Sequence, residues 1–213
     1  MSAPPPPGGP GLFLAFEGGD GAGKSTQVGL LAEAYESAGR EVVLTRQPGG
    51  TELGARLRDL VLHGQAMSAR AEALIFAADK AQHVAEVVRP AMARGAVVIT
   101  DRYTDSSVAY QGAGRDLSHD EVHGIQMWAV GGLVPDLTVV LDITAEEGRR
   151  RRGVVHDRLE REPDGFHEAV RAHFLAMAAG DPGRYVVVDG SRPAEQIHES
   201  VRAGLEAKGV APA

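Results

Sequence analysis

Apolar residues recur along this chain in two rhythms. Leu12 to Phe16 is an apolar run and Glu41 to Thr45 a short β-branched one, the first two expected strands. Ala96 to Thr100, Leu137 to Ile143 and Tyr185 to Val188 are nearly continuous apolar runs, the pattern of parallel strands covered on both faces. Between them the spacing is helical. Residues 27–38 carry Val28, Leu31, Ala32 and Tyr35 and stop at Gly39, while residues 52–63 place Leu53, Leu57, Leu60 and Val61 on one face. A longer apolar-rich helix is predicted over 69–94, closed by Arg94-Gly95, with Pro90 kinking or shifting it. Further helices are expected at 118–131, 145–152, 165–179 and 194–207. Strands alternating with helices predict an α/β fold: a parallel sheet of about five strands, right-handed crossovers, and ligands at the strands' C-terminal ends. No internal repeat is visible.

Composition narrows this picture. A chain of 213 residues with 43% hydrophobic content suits one compact domain, placed at 12–213. Residues 1–11, with Pro4 to Pro7 and Gly8-Gly9, read as a disordered tail, since they carry neither a basic start nor an apolar core of a signal. No apolar run approaches the roughly 18 residues of a membrane span, so no membrane partner and a cytoplasmic location are expected. The absence of cysteine excludes disulfides, thiolate metal sites and thiol nucleophiles. A net charge of −7 argues against general nucleic-acid binding. The basic residues are nonetheless concentrated: Arg149-Arg150-Arg151-Arg152, then Arg158 and Arg161, whereas Lys24, Lys80 and Lys208 are the only lysines. A local basic cluster on an acidic protein suits a small polyanion such as a nucleotide.

The candidate chemistry begins where the first strand ends. Gly18-Gly19-Asp20-Gly21-Ala22-Gly23-Lys24-Ser25-Thr26 fits the phosphate-binding pattern G-x-x-x-x-G-K-[ST]. Gly18, Gly19, Gly21 and Gly23 are expected to adopt positive φ and turn backbone N–H groups onto a polyphosphate, helped by the positive end of the following helix. Lys24 is expected to reach the β and γ phosphates, and Ser25 to ligate Mg²⁺. Arg46, just past the second strand and before the Pro48-Gly49-Gly50 turn, is placed to clamp a phosphate. Asp101-Arg102 closes the third apolar run, the usual position of an acid that orients Mg²⁺ and of an arginine that neutralises a transferring phosphate.

Two further stretches point to the acceptor. Ser106, Ser107, Tyr110 and Gln111 fall within the segment 105–114 and together can read a base edge and exclude a ribose hydroxyl. Phe76 and Lys80 lie one helical turn apart, a candidate stacking ring and hydrogen-bond donor. The arginine-rich segment, at about 149–164, reads as a lid that closes over the phosphates, supplies charge and excludes water.

From Leu12 to about Leu205 the chain resembles the bacterial thymidylate kinases. The P-loop, Thr45-Arg46 with Pro48-Gly49-Gly50, Phe76-Ala77-Ala78, Asp101-Arg102-Tyr103, Asp105-Ser106-Ser107 with Ala109-Tyr110-Gln111-Gly112, Pro135-Asp136-Leu137 and Asp157-Arg158-Leu159 occur in that family's order. The resemblance implies a P-loop nucleoside monophosphate kinase-like three-layer fold, and a homodimer that phosphorylates dTMP to dTDP with ATP and Mg²⁺. It assigns Arg46 and Arg102 to the acceptor phosphate, Arg58 near it, and Phe76 to stacking on thymine. It gives Gln111, Ser107 and the residue at Lys80 to the base, and Tyr110 to crowding a 2′-hydroxyl. Asp20 falls near Mg²⁺ or the acceptor 3′-hydroxyl, Arg158 and Arg149 serve in the lid, and the turn from Asp189 to Pro193 contacts adenine. The predicted catalytic set is Lys24, Asp101, Arg102 and Arg158, and the ATP site runs over 18–26 with Arg149. Two departures stand out: Gln47 where these enzymes commonly have glutamate, and Lys80 where they commonly have arginine. A lysine is a point donor without the planar fork. The rival readings are a P-loop kinase for another nucleoside monophosphate or small metabolite, and a nucleotide-dependent switch protein. The second lacks any Asn-Lys-x-Asp or Asp-x-x-Gly motif after the third strand.

Overall fold

A computed structural model describes residues 10–112, 117–152 and 157–212. Most of the expected tail, residues 1–9, lies outside the described residues, as do 153–156 of the expected lid and 113–114 of the acceptor stretch. The sheet has five parallel strands: β1 (Leu12–Gly18), β2 (Val42–Arg46), β3 (Val97–Asp101), β4 (Leu137–Asp142) and β5 (Tyr185–Asp189), in the spatial order β2-β3-β1-β4-β5. The first strand therefore lies at the centre, and the order reverses on either side of it. That crevice is where ligands bind in open α/β sheets.

Alternation along β1 explains the layers. Leu14 and Phe16 face α1 (Lys24–Ser37) and α9 (Ala194–Ala207), in a core with Leu31, Tyr35, Ile99, Leu141 and Val201. Phe13 and Ala15 point the other way, into a core with Val84, Val88, Val98 and Tyr103. A third cluster on that second face joins Val140 and Tyr185 to Phe174 and Val170 of α8 (Asp164–Gly180), and to Phe76 and Tyr110 beside the site. β1, β3 and β4 are buried on both sides, so their runs contain no polar alternation. The edge strands β2 and β5 instead leave Leu44 and Val187 about half exposed, and the two-sided cover expected for residues 185–188 is incomplete because no strand lies beyond β5.

The remaining helices are α2 (Glu52–His63), α3 (Ala69–His83), α4 (Arg89–Ala93), α5 (Thr104–Gly112), α6 (His119–Ala129) and α7 (Ala145–Arg151). The long helix expected over 69–94 is present but not uniform: Val84–Val88, between α3 and α4, forms a π-helical turn, and the Arg89 N–H bonds to the Val84 carbonyl. Pro90 has no N–H to give to the preceding turn, and widening that turn accommodates the ring without ending the helix. The start of α6 is fixed by a capping box between Ser118 and Glu121. The described part of the segment from Asp105, up to Gly112, is helical as α5, with seven of that helix's nine residues buried.

Candidate functional site

Strand register brings the site together. Arg46 at the end of β2 pairs with Asp101 at the end of β3, which pairs in turn with Phe16 of β1, so the P-loop leaves the sheet beside both. Within the loop Gly18, Gly21 and Gly23 have φ of 131°, 84° and 90°. Gly19, also expected at positive φ, is not among the positive-φ glycines, so the turn is made by the other three. Gly21 has a second constraint. A Cβ there would sit 2.5 Å from the Gly148 carbonyl, and a Cβ on Gly148 would sit 2.5 Å from the Asp20 carbonyl, so loop and α7 touch backbone to backbone.

Lys24 and Ser25 open α1. The Lys24 ammonium donates to the Gly18 and Gly19 carbonyls at 3.1 and 2.8 Å, curled into its own loop. Burial, then the neighbouring Arg102, lowers its pKa to about 8 against the pull of Asp101, Asp20 and Glu17. The Ser25 hydroxyl donates to Asp101 Oδ2 at 2.7 Å. Both border a cleft with Lys24, Thr26, Arg46 and Arg102, a basic-walled space at a helix N-terminus suited to a polyphosphate.

Arg102 is held in an unusual way. It is the one non-glycine residue at positive φ among the described residues, at 68°. Its N–H bonds to the Phe16 carbonyl at 2.9 Å, and its carbonyl accepts from the Thr100 hydroxyl at 2.9 Å. This kink swings the guanidinium into the cleft, where it meets Asp20 at 2.5 Å, Ser106 at 2.9 Å and the Gly18 carbonyl at 3.1 Å. Burial alone would raise the Asp20 pKa, but Arg102 and Lys24, with a 2.9 Å hydrogen bond from Tyr110, hold it well below the usual carboxylate range.

A second cleft adjoins the first, with Asp20, Arg58 and Arg102 on the border of both. Phe76, Lys80, Ser107, Tyr110 and Gln111 line it, as the sequence predicts, together with Gln47, Leu62 and Leu159. The Lys80 ammonium lies 5.4 Å from the Phe76 ring centroid and donates to the Ser107 hydroxyl at 2.7 Å. Its burial lowers its pKa to about 8, offset in part by Asp79 and Glu17. Arg58 donates to the Pro48 carbonyl at 2.9 Å, and burial together with Arg46 lowers its pKa. Gln47 turns its amide NH₂ onto His83 Nδ1 at 2.7 Å; His83, lowered to about 4 by burial and then by Lys80, is neutral and bonds Thr45 on its other side.

The lid arginines are not left to repel one another: carboxylates accompany them. Arg149 pairs with Asp164, and Arg150 and Arg151 pair with Glu147. Arg151 also donates to the Gly190 and Ser191 carbonyls at 2.7 and 3.0 Å, tying α7 to the turn after β5. Arg158 donates to the Val61 carbonyl at 3.0 Å and pairs with the buried Glu72. Its guanidinium is not among the groups that line the phosphate cleft.

Two residues given no role by the sequence reading prove central. Glu17, fully buried, accepts from the Tyr103 and Ser106 N–H groups and the Ser106 hydroxyl. Glu72, equally buried, holds both Gln111 and Arg158. The available signal was a lone carboxylate inside an apolar stretch, in Leu12-Phe13-Leu14-Ala15-Phe16-Glu17 and in Ala71-Glu72-Ala73-Leu74.

Comparison with known proteins identifies the family. The family model described as "Thymidylate kinase" matches residues 16–201. A thymidylate kinase of Leifsonia xyli subsp. xyli is 54% identical over 203 residues, covering 93% of this chain and 96% of that protein. One of Clavibacter michiganensis subsp. michiganensis is 52% identical over 201 residues, covering 92% and 95%. The crystal structure of thymidylate kinase from Ehrlichia chaffeensis superposes with a TM-score of 0.76 at 31% identity, covering 92% of this chain and 98% of that one.

Proposed function

The chain belongs to the thymidylate kinase family, ATP-dependent nucleoside monophosphate kinases that convert dTMP to dTDP, and on that premise we propose how its own groups perform the transfer. The observation that carries the proposal is that the two clefts meet at Arg102, Asp20 and Arg58. A donor nucleotide in one and an acceptor in the other would bring their phosphates together there, and in-line transfer needs little more than such positioning and charge neutralisation.

ATP is taken by residues 18–26, with its phosphates over the loop N–H groups. Lys24 exchanges the Gly18 and Gly19 carbonyls for the β and γ phosphates. Mg²⁺ suits the pair of hard oxygen donors offered by Ser25 and Asp101, since this ion is usually held by one or two protein oxygens together with substrate phosphates. Bound there it would neutralise charge on the transferring group. Arg102, Arg46 and Arg58 hold the acceptor phosphate, Phe76 stacks on the base, and Lys80, Ser107 and Gln111 read its edge. Tyr110, fixed on Asp20, closes the sugar end against a 2′-hydroxyl. Arg149 and Arg158 are the lid's contribution to binding and closure. Arg158 is committed to Glu72 in this conformation, so charge at the transfer point rests on Lys24 and Arg102.

We place the enzyme in the cytoplasm as a homodimer. The support for a dimer is an apolar groove between α3 and α6, lined by Ala73, Leu74, Leu117, Val122 and Ile125, with Leu74 and Trp128 exposed nearby. Among the described residues no helix is long and apolar enough to cross a membrane. Light scattering coupled to gel filtration tests the dimer, and a single-chain mass would refute it. The reaction is tested by coupled ADP release with ATP and Mg²⁺, offering dTMP, dUMP, UMP, dCMP and dAMP in turn. Turnover led by dTMP is expected; its absence would overturn the functional reading.

A further inference from the structure

Gln111 is 1% exposed and lines the acceptor cleft, yet its carbonyl oxygen has no hydrogen-bond partner among the described residues. Its amide nitrogen is engaged, donating to Glu72 Oε1 at 2.9 Å. Glu72 lies behind the cleft wall, 1% exposed, and its second oxygen takes the Arg158 guanidinium. A side-chain amide normally can turn over, exchanging an acceptor for a donor. Here it cannot, because a carboxylate paired with a guanidinium accepts and does not donate. Turning Gln111 over would set its oxygen against the Glu72 oxygen and leave a buried clash.

We infer that Glu72 is the positioning residue that fixes base specificity, by locking Gln111 with its carbonyl toward the cleft so that the site demands a ring N–H donor. The inference rests on the dTMP reading above and deepens it. The recognised group is the imide N3–H of a 2,4-dioxopyrimidine. Lys80, bonded to Ser107, keeps further hydrogens for the adjacent ring carbonyl. Cytosine presents the reverse pattern, an acceptor at N3 and an amine at C4, and meets unpaired groups at both positions. A site built to satisfy one hydrogen-bond pattern rejects the ligand that leaves its buried groups unpaired. Glu72 touches no substrate in this scheme and acts through Gln111.

The test uses Glu72→Gln, which keeps the shape and removes the acceptor-only character. Arg158 still requires an oxygen, so the new amide gives its oxygen to Arg158 and its NH₂ to Gln111. Gln111 then turns over and presents a donor to the base. The kcat/KM for dTMP is expected to fall about 10- to 100-fold, chiefly through KM, and the dTMP-to-dCMP ratio to shrink by at least that factor. Glu72→Asp, which still only accepts, retains the preference for dTMP. A folded Glu72→Gln enzyme, judged by an unchanged melt and unchanged ATP binding, that keeps the wild-type ratio overturns the inference while leaving the function intact. Failure of the wild type with dTMP brings down the functional reading and this inference with it. Should Glu72→Gln not fold, calorimetric binding of N3-methyl-dTMP to the wild type decides. A loss of at least about tenfold relative to dTMP supports an acceptor facing N3, and equal affinity refutes it.

Discussion

Ser106 gives both its backbone N–H and its hydroxyl to one carboxylate, that of Glu17, at 3.1 and 2.5 Å. The same carboxylate takes the Tyr103 N–H at 2.8 Å, so the end of β1 caps the start of α5 from outside. Ser106 in turn accepts from Arg102, which links the P-loop strand to the guanidinium between the two clefts.

That arrangement makes stability pH-dependent. Burial, then the nearby Asp105, raises the Glu17 pKa from 4.5 to about 7, against Arg102 and its hydrogen bonds with Ser106 and Tyr103; Lys24, Lys80 and Tyr185 also face it. A carboxyl raised on folding contributes stability that is full below its unfolded pKa and is lost as pH rises through the folded one. Melts of wild type and Glu17→Gln from pH 5 to pH 8 should therefore differ in slope, with the variant flatter by about 1–3 kcal/mol over the range. Parallel curves would remove Glu17 as the cause. At pH 8 the variant also loses kcat, because a second donor at Ser106 loosens Arg102.

Lys24→Ala should lower kcat by about 10²–10³-fold or more with little change in the KM for dTMP, since its charge is needed on the donor phosphates. In the wild type at saturating dTMP, kcat/KM for ATP should fall above the lysine's pKa of about 8. Lys24→Arg, charged throughout that range, should show no such fall even where its rate is lower. A wild-type profile flat to pH 9.5 would show that the free enzyme does not use this titration.

Removing either oxygen donor of the Ser25–Asp101 pair, by Ser25→Ala or Asp101→Ala, should shift the Mg²⁺ midpoint of the rate upward by about 10- to 100-fold at fixed ATP. An unshifted Mg²⁺ titration would place the ion elsewhere.

Gly148→Ala is a test by sign. Alanine normally favours a helix interior over glycine by about 0.5–1 kcal/mol. Here its Cβ would meet the Asp20 carbonyl at 2.5 Å, so the P-loop or α7 must shift. The expected result is a loss of about 1–3 kcal/mol with a raised KM for ATP. A stabilised variant with normal KM would show that the contact is not tight.

Much of this was legible in the chain because strand ends and short motifs are local. The glycine-rich loop, Arg46 and Asp101 each follow an apolar run, and parallel register carries all three to one edge. Phe76 with Lys80, and Ser107 with Gln111, are each close in sequence and were readable as one helix face apiece. Glu17 and Glu72 were not. Their partners lie 89 and 86 residues away at Ser106 and Arg158, and nothing in the local pattern distinguishes a capping carboxylate from an ordinary charged residue. The arginine cluster shows the opposite failing: its charge was plain, but its pairing with Glu147, Asp164 and Glu72 depends on helices brought together only by the fold. The π-helical turn before Pro90 was foreseen as a disturbance but not as a widening, because a proline specifies the lost hydrogen bond and not how the helix accommodates it.

The scarcity of lysine gives this molecule a built-in reporter. Of its three lysine ammonium groups, Lys208 is at the surface on the Pro182 carbonyl, and the other two stand one in each cleft with pKa values lowered to about 8. Near that pH a sizeable fraction of each amine is unprotonated, but both side chains are buried, so acylation of either requires the cleft around it to open, and a bound nucleotide blocks that. Mass-spectrometric footprinting can then read occupancy of each half of the site separately: the peptide carrying Lys24 for the donor nucleotide and the peptide carrying Lys80 for the acceptor, with Lys208 as internal standard.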